Sequence, residues 1–78
     1  MSENKKIKIR NILDAQLHAI NVAIEKYLLS REDVLLVDVG DCEKFYMANI
    51  YVKHAPIKIY LEFTKEGKVI ESYIEPYI

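Results

Sequence analysis

Glycine, proline and cysteine are all scarce in this sequence, and each shortage excludes something. Two glycines and two prolines among 78 residues leave few positions for loops, so most of the chain must form regular helices and strands. The one cysteine, Cys42, excludes an intrachain disulfide and with it the class of small disulfide-stapled secreted domains. These shortages indicate one small domain held together by its hydrophobic core.

Neither sign of charge dominates the chain. Eleven Lys and Arg residues against twelve Asp and Glu residues give a net charge of −1, so no overall field attracts nucleic acid or an anionic membrane. Hydrophobic residues make up 51% and charged residues 29% of the sequence, which is typical of a globular protein. Lys and Glu supply most of the charge, a thermophile-like composition that an AT-rich genome would also produce.

Long apolar runs are missing as well. The segment MSENKKIKIRN at the start is basic but lacks the apolar run of a signal peptide, and no stretch approaches the roughly 20 apolar residues of a membrane span. These absences predict a soluble, cytoplasmic protein. We interpret residues 1–10 as a basic N-terminal tail and residues 11–78 as a single α+β domain.

A helical pattern occupies the first part of the domain. Apolar residues at three- and four-residue spacing predict a helix from about Asn11 to Ser30, with Asn11 as its N-cap and Asp14 in its first turn. The predicted main apolar face consists of Leu13, Leu17, Ile20, Ile24, Tyr27 and Leu28. A second apolar stripe, of mostly small residues that would let another helix approach closely, consists of Ile12, Ala15, Ala19, Val22 and Ala23.

The period changes to two after the helix, and four strands follow. Gly67 supplies the positive φ that the last hairpin turn requires. A helix followed by an antiparallel meander predicts an α+β fold, with one long N-terminal helix packed on one face of a four-stranded sheet. The predicted strands are Val34–Val39, Phe45–Lys53, Ile57–Thr64 and Val69–Glu75.

Even-length turns give two of the hairpins a register. A turn centred on residues 55–56 sets Tyr51 opposite Tyr60. A turn at residues 66–67 sets Tyr60 opposite Tyr73. Both turns predict the same inner face, which consists of Ala48, Ile50, Val52, Ile57, Ile59, Leu61 and Phe63.

The other face of the sheet carries more apolar side chains than a solvated face needs. Cross-strand pairing stabilises a sheet by roughly 0.2–1 kcal/mol per aromatic pair, which is an alternative reason for the tyrosines. It does not account for Leu36, Phe45 and Met47, which would form a contiguous exposed patch. Leu36 lies on this face if the first strand continues the meander in step, whereas an odd-length turn at Gly40 to Glu43 would flip that strand. The helix and the sheet both offer surplus apolar surface, so we predict a homo-oligomer, most simply a two-fold dimer. The predicted contact residues are Phe45, Met47, Tyr51, Tyr60 and Tyr73, with Ile12, Ala15, Ala19 and Val22 as a second candidate surface.

Signatures of catalysis, cofactors and metals are missing from the sequence. His18 and His54 are better explained as solvated surface residues than as metal ligands, and Cys42 lacks the pattern of a catalytic thiol. An acidic cluster lacks the spacing of a calcium loop and is better explained as a solvated turn; it consists of Asp38, Asp41 and Glu43. We therefore expect no enzymatic activity, cofactor or metal.

Nucleic-acid binding is the alternative function. Aromatic side chains on a sheet with lysines nearby can stack bases, as in RNA-binding sheets. Carboxylates on the same face would repel phosphate and argue against it; they belong to Glu62, Glu71 and Glu75. The candidate basic residues are Lys5, Lys6, Lys8 and Arg10 in an N-terminal arm, and Lys53 and Lys58 beside the tyrosines.

The last hairpin, KEGKVIESYI, follows a helix and a meander, and this order resembles the domains described as PepSY-like or cystatin-like. The resemblance covers about residues 11–75 and implies a fold; because such domains often act as inhibitors or regulators outside the cell, it also implies a binding role. It assigns no site residue, since no inhibitory loop motif is present. We predict a small non-enzymatic protein-interaction module, a regulator, adaptor or inhibitor, whose last residues, 77–78, fold over the core edge or reach a neighbouring subunit.

Overall fold

A computed structural model describes residues 9–76 of the protein, and the structural statements below concern that part of the chain. One helix, α1 (Ile12–Tyr27), and a short 3₁₀ helix (Arg31–Asp33) precede the strands. The strands form one antiparallel sheet in the order β1-β2-β3-β4, which confirms the predicted α+β fold with a meander. They are β1 (Val34–Asp41), β2 (Phe45–Val52), β3 (Ile57–Thr64) and β4 (Val69–Pro76).

The helix begins at the predicted cap and ends three residues before Ser30. The Asn11 side chain accepts a hydrogen bond from the backbone N–H of Asp14 at 2.9 Å, which satisfies one of the free N–H groups of the first turn. At the other end Leu28 adopts the left-handed conformation with φ 56°, a backbone geometry that stops a helix.

Removing the cap tests this boundary. Asn11→Ala leaves the N–H of Asp14 without its acceptor, so we expect the free energy of unfolding to fall by about 1 kcal/mol. Asn21→Ala is the matched control, because Asn21 lies exposed inside the same helix and alanine there favours the helix. Thermal or urea unfolding of both variants measures the difference; equal stabilities would show that Asn11 does not cap α1.

The predicted inner face of the sheet forms the core. Phe63, Leu61, Ile59 and Ile50 are the largest fully buried side chains, while Ile57 packs against the core and is only partly buried. The remaining buried residues of the inner face are Tyr46, Ala48 and Val52. Six of the seven predicted core residues are therefore buried, and Tyr46 joins them.

The helix packs on the sheet through the second predicted stripe and not through the predicted main face. Ala15, Ala19 and Ala23 are completely buried, whereas Leu13 and Leu17 on the predicted main face are 64% and 48% exposed. The prediction of the packing face was wrong because it weighted hydrophobic size. A row of alanines lets the helix lie close to the sheet, and small side chains pack well at such close approach.

The predicted register is correct for most of one hairpin and wrong for the other. Tyr60 lies opposite Tyr73 between β3 and β4 as predicted, but the register shifts between Glu62 and Phe63, so Phe63 lies opposite Val69 and not opposite Ile70 as the even-length turn predicted. Tyr51 lies opposite Lys58 rather than Tyr60, because the connecting turn comprises residues 53–56 and is centred one residue earlier than predicted. The error moves every β2–β3 partner by two positions, and a shift of two leaves each side chain on its predicted face.

The first strand is longer than predicted, so the first turn is shorter. β1 continues through Gly40 to Asp41, and Glu43 in the turn has a positive φ of 72°. At the last hairpin the prediction is confirmed, since Gly67 has a φ of 92°. Leu36 lies opposite Tyr51, so it shares the outer face of the sheet, as the in-step meander predicted.

Candidate interaction surfaces

The outer sheet face is the side of the sheet opposite the buried inner face. The predicted sheet contact residues all lie on it, but their exposure differs. Tyr73 is 42% exposed and Leu36 beside them is 57% exposed. The other four are half-buried within the single chain; they are Phe45, Met47, Tyr51 and Tyr60.

The tyrosines of the outer sheet face are held by one another and by a carboxylate. The rings of Tyr60 and Tyr73 stack with centroids 5.0 Å apart, and the Tyr60 hydroxyl donates a hydrogen bond to Glu62. Burial, together with this hydrogen bond, raises the pKa of Tyr60. The hydroxyl therefore stays protonated and keeps its donor role throughout the neutral pH range.

Lys58, on the same face, already contacts a carboxylate and a tyrosine ring. The Lys58 ammonium lies 3.6 Å from the Glu75 carboxylate and 5.8 Å from the centroid of the Tyr51 ring. Glu62 lies directly opposite Glu71 on the next strand. The carboxylates beside the tyrosines would repel phosphate and weigh against nucleic-acid binding. That alternative function stays a prediction.

The second predicted contact surface does not lie on the surface of the single chain. Ala15 and Ala19 are completely buried against the sheet, and Val22 packs against the same core. Ile12, at the first turn, is 38% exposed. The small-residue row of α1 is thus used inside the chain, and it cannot also receive another helix.

The leucine stripe is the apolar row that α1 turns away from the core. Leu13, Leu17 and Leu28 are 64%, 48% and 90% exposed, while Ile20 and Ile24 are partly buried. At 100° per residue these five residues fall on one side of the helix. The helical spacing predicted this row, but the prediction that it faces the core was wrong.

His18 was predicted to be a solvated surface residue, and this prediction was wrong. Its Nε2 lies 2.8 Å from the Gly67 carbonyl oxygen, to which it donates a hydrogen bond. Its ring meets Phe63 edge-on, with centroids 4.9 Å apart. His18 therefore ties α1 to the β3–β4 turn, across a sequence separation that hydrophobic periodicity does not reveal.

One residue of the predicted acidic cluster, Asp41, contacts the β3–β4 turn. The Lys65 ammonium lies 2.7 Å from an Asp41 carboxylate oxygen, and Asp41 also accepts the backbone N–H of Glu43 at 2.9 Å. The hydrogen bond from Lys65 lowers the pKa of Asp41. Within residues 9–76, no group of three or more His, Cys, Asp or Glu side chains has a metal-binding arrangement.

Acid should weaken the Asp41–Lys65 contact. Since the folded-state pKa of Asp41 lies below its unfolded value of 3.8, its stabilisation is complete above that pH and is lost as pH falls through the folded pKa. We expect Asp41→Asn to lose less melting temperature than the native chain between pH 6 and pH 3. Asp38→Asn, on the same strand, is the control and should keep the native slope; identical slopes in all three proteins would exclude the contact.

Comparisons with known proteins identify no relative. No protein-family model, curated protein or solved structure matches the chain.

In the described part of the chain, no helix has the length and apolarity needed to cross a bilayer. Three of the predicted basic-arm residues (Lys5, Lys6, Lys8) and the predicted contact of residues 77–78 lie outside the described residues, whereas Arg10 is exposed and lies 3.4 Å from Asp14.

Proposed function

We propose that this protein is a non-enzymatic protein-interaction module whose first partner is a second copy of itself. The observation that supports the proposal is the number of large apolar side chains left exposed by residues 9–76 of a single chain. Burying such side chains against a partner is favourable, because each removes apolar area from water. They are Ile12, Leu13, Leu17, Leu28, Leu35, Leu36, Ile70, Tyr73 and Ile74.

The leucine stripe is a better contact surface than the outer sheet face. On the outer sheet face Tyr60, Tyr73 and Lys58 already satisfy one another or a neighbouring carboxylate. On the stripe, Leu13 and Leu17 project apolar surface with no charged residue between them along the row. Two such rows can meet without opposing like charges, which favours a second copy as the occupant.

Light scattering coupled to size exclusion tests the proposal. At micromolar concentration we expect a particle of twice the chain mass of 9.1 kDa, and we expect Leu17→Gln to weaken it. Tyr73→Gln is the matched control, because it removes a side chain of similar exposure from the outer sheet face. A 9.1 kDa particle would exclude self-association; dissociation by Tyr73→Gln alone would move the contact to the outer sheet face.

A further inference from the structure

The leucine stripe alone is too small for a stable dimer. A specific interface removes roughly 800 Å² per partner from water. One fully buried aliphatic side chain removes about 100 Å² of apolar surface from water. The five residues of the stripe therefore remove at most about 500 Å². A second surface must therefore contribute to the self-association proposed above.

β1 forms one edge of the sheet built by residues 9–76, and it lacks the proline and lysine residues that often protect exposed edges. Its eight residues contain no proline, lysine or arginine, and Leu35 and Leu36 are 58% and 57% exposed. A bulge interrupts its pairing with β2 between Val34 and Leu36, after which the register is regular to Asp41. Long apolar edges of this kind pair with further strands.

The opposite edge, β4, is protected. It carries the carboxylates of Glu71 and Glu75 and ends at Pro76, which has no N–H to offer another strand. Both edges carry two acidic residues, so Pro76 is what distinguishes β4, because proline on an edge strand discourages pairing with other chains. The two edges therefore differ, and β1 is the receptive one.

The hydrogen-bond pattern shows which backbone groups of β1 face outward. The N–H of Cys42 donates to the carbonyl of Phe45 at 2.8 Å, which marks a hydrogen-bonded pair, and such pairs recur at every second residue. The N–H and C=O of Val37 and Val39 therefore point to the free edge. The β1 residues that bond to β2 are Leu36, Asp38 and Gly40, which lie opposite Tyr51, Asn49 and Met47.

We propose that β1 pairs antiparallel with β1 of a second copy, centred on Val37, so that two four-stranded sheets become one sheet of eight strands. The proposal rests on the self-association proposed above and specifies its geometry. A two-fold axis perpendicular to the sheet relates the copies and keeps both helices on the same face. Because α1 lies closest to β1 and β2, the two helices come to lie side by side over the joined strands.

Charge selects the register among those that the backbone allows. Centring the pair on Asp38 sets two Asp38 carboxylates directly opposite each other, an arrangement that destabilises a sheet. Centring it on Val39 leaves Leu35 outside the paired segment. Centring it on Val37 places each Asp38 opposite Leu36 of the other copy and covers both exposed leucines.

This register makes a charge-swap test possible at Leu36. Leu36→Asp faces Asp38 of the other copy with a like charge, and Leu36→Lys faces it with an opposite charge, while both variants lose the same apolar side chain. We expect the dimer dissociation constant of Leu36→Asp to exceed that of Leu36→Lys by about tenfold. Sedimentation equilibrium at low salt measures both, and circular dichroism verifies that both are folded.

Amide hydrogen exchange of the unmodified protein gives an independent measurement. The amides of Val37 and Val39 should exchange more slowly as concentration rises through the dimerisation range, while those of Ser72 and Ile74 on β4 should not change. A dimer with equal dissociation constants for the two variants and unprotected β1 amides would overturn the edge pairing and leave self-association standing. A monomeric full chain would overturn both proposals, even if a chain lacking residues 1–8 forms a dimer.

Discussion

Phe63→Ala should lower the free energy of unfolding by about 3–5 kcal/mol, the largest effect of any single core truncation in this chain. Phe63 is completely buried, and its ring contacts His18 from the helix and Tyr46 from β2, with centroid distances of 4.9 and 5.8 Å. Truncation opens a cavity between the two layers of the fold. Because small domains are stable by only about 5–15 kcal/mol, much of the total stability depends on this ring.

Phe45→Ala is the control for that experiment. The chain contains two phenylalanines, and Phe45 lies on the outer sheet face, where it is half-buried. The same atoms are removed, yet less apolar area is exposed and no enclosed cavity forms, so we expect less than half the loss. Urea unfolding at one protein concentration compares the variants; equal losses would show that the two faces of the sheet are equally buried.

Ala19→Leu should destabilise the protein by about 1–3 kcal/mol, because extra methyl groups in a close-packed layer displace their neighbours. Ala19 is completely buried between α1 and the sheet. Leucine and alanine are both good helix formers, so a loss of this size reports packing and not helix propensity. The variant thus measures how closely the helix approaches the strands.

Leu17→Ala makes the reverse exchange on the opposite side of the same helix. Leu17 is 48% exposed, so we expect only a small change in the free energy of unfolding when both variants are measured at a concentration where the chain is monomeric. If Leu17→Ala proves the costlier substitution, then the helix packs on the sheet through its leucine stripe, and the alanine row faces outward.

The features that the sequence predicted are those set by local patterns. The alternation from Ala48 to Phe63 fixes the inner face of two strands, and Asn11 and Gly67 mark a helix cap and a turn through their own backbone chemistry. The β3–β4 register was predicted correctly from Ile57 to Glu62, but not beside the turn, where it shifts between Glu62 and Phe63. Each of these depends on residues close together in the chain.

The features that the sequence did not predict depend on packing over long separations. Hydrophobic size favoured the leucines of α1, but the distance between helix and sheet selected Ala15 and Ala19. In the sequence His18 resembles a surface residue, but the fold places the Gly67 carbonyl oxygen within hydrogen-bond distance of its ring. The register of β2 and β3 depended on the conformation of residues 53–56, which composition alone does not determine.

Pro76 would limit assembly beyond the proposed dimer. A filament of strands grows only when every unit can accept a neighbour at both sides, and the terminal strand here offers a ring nitrogen where a donor would be needed. Joining two copies through β1 uses up the accepting side of each. In the proposed dimer only the two β4 edges remain at the flanks, so we expect assembly to stop there and not to grow into fibres.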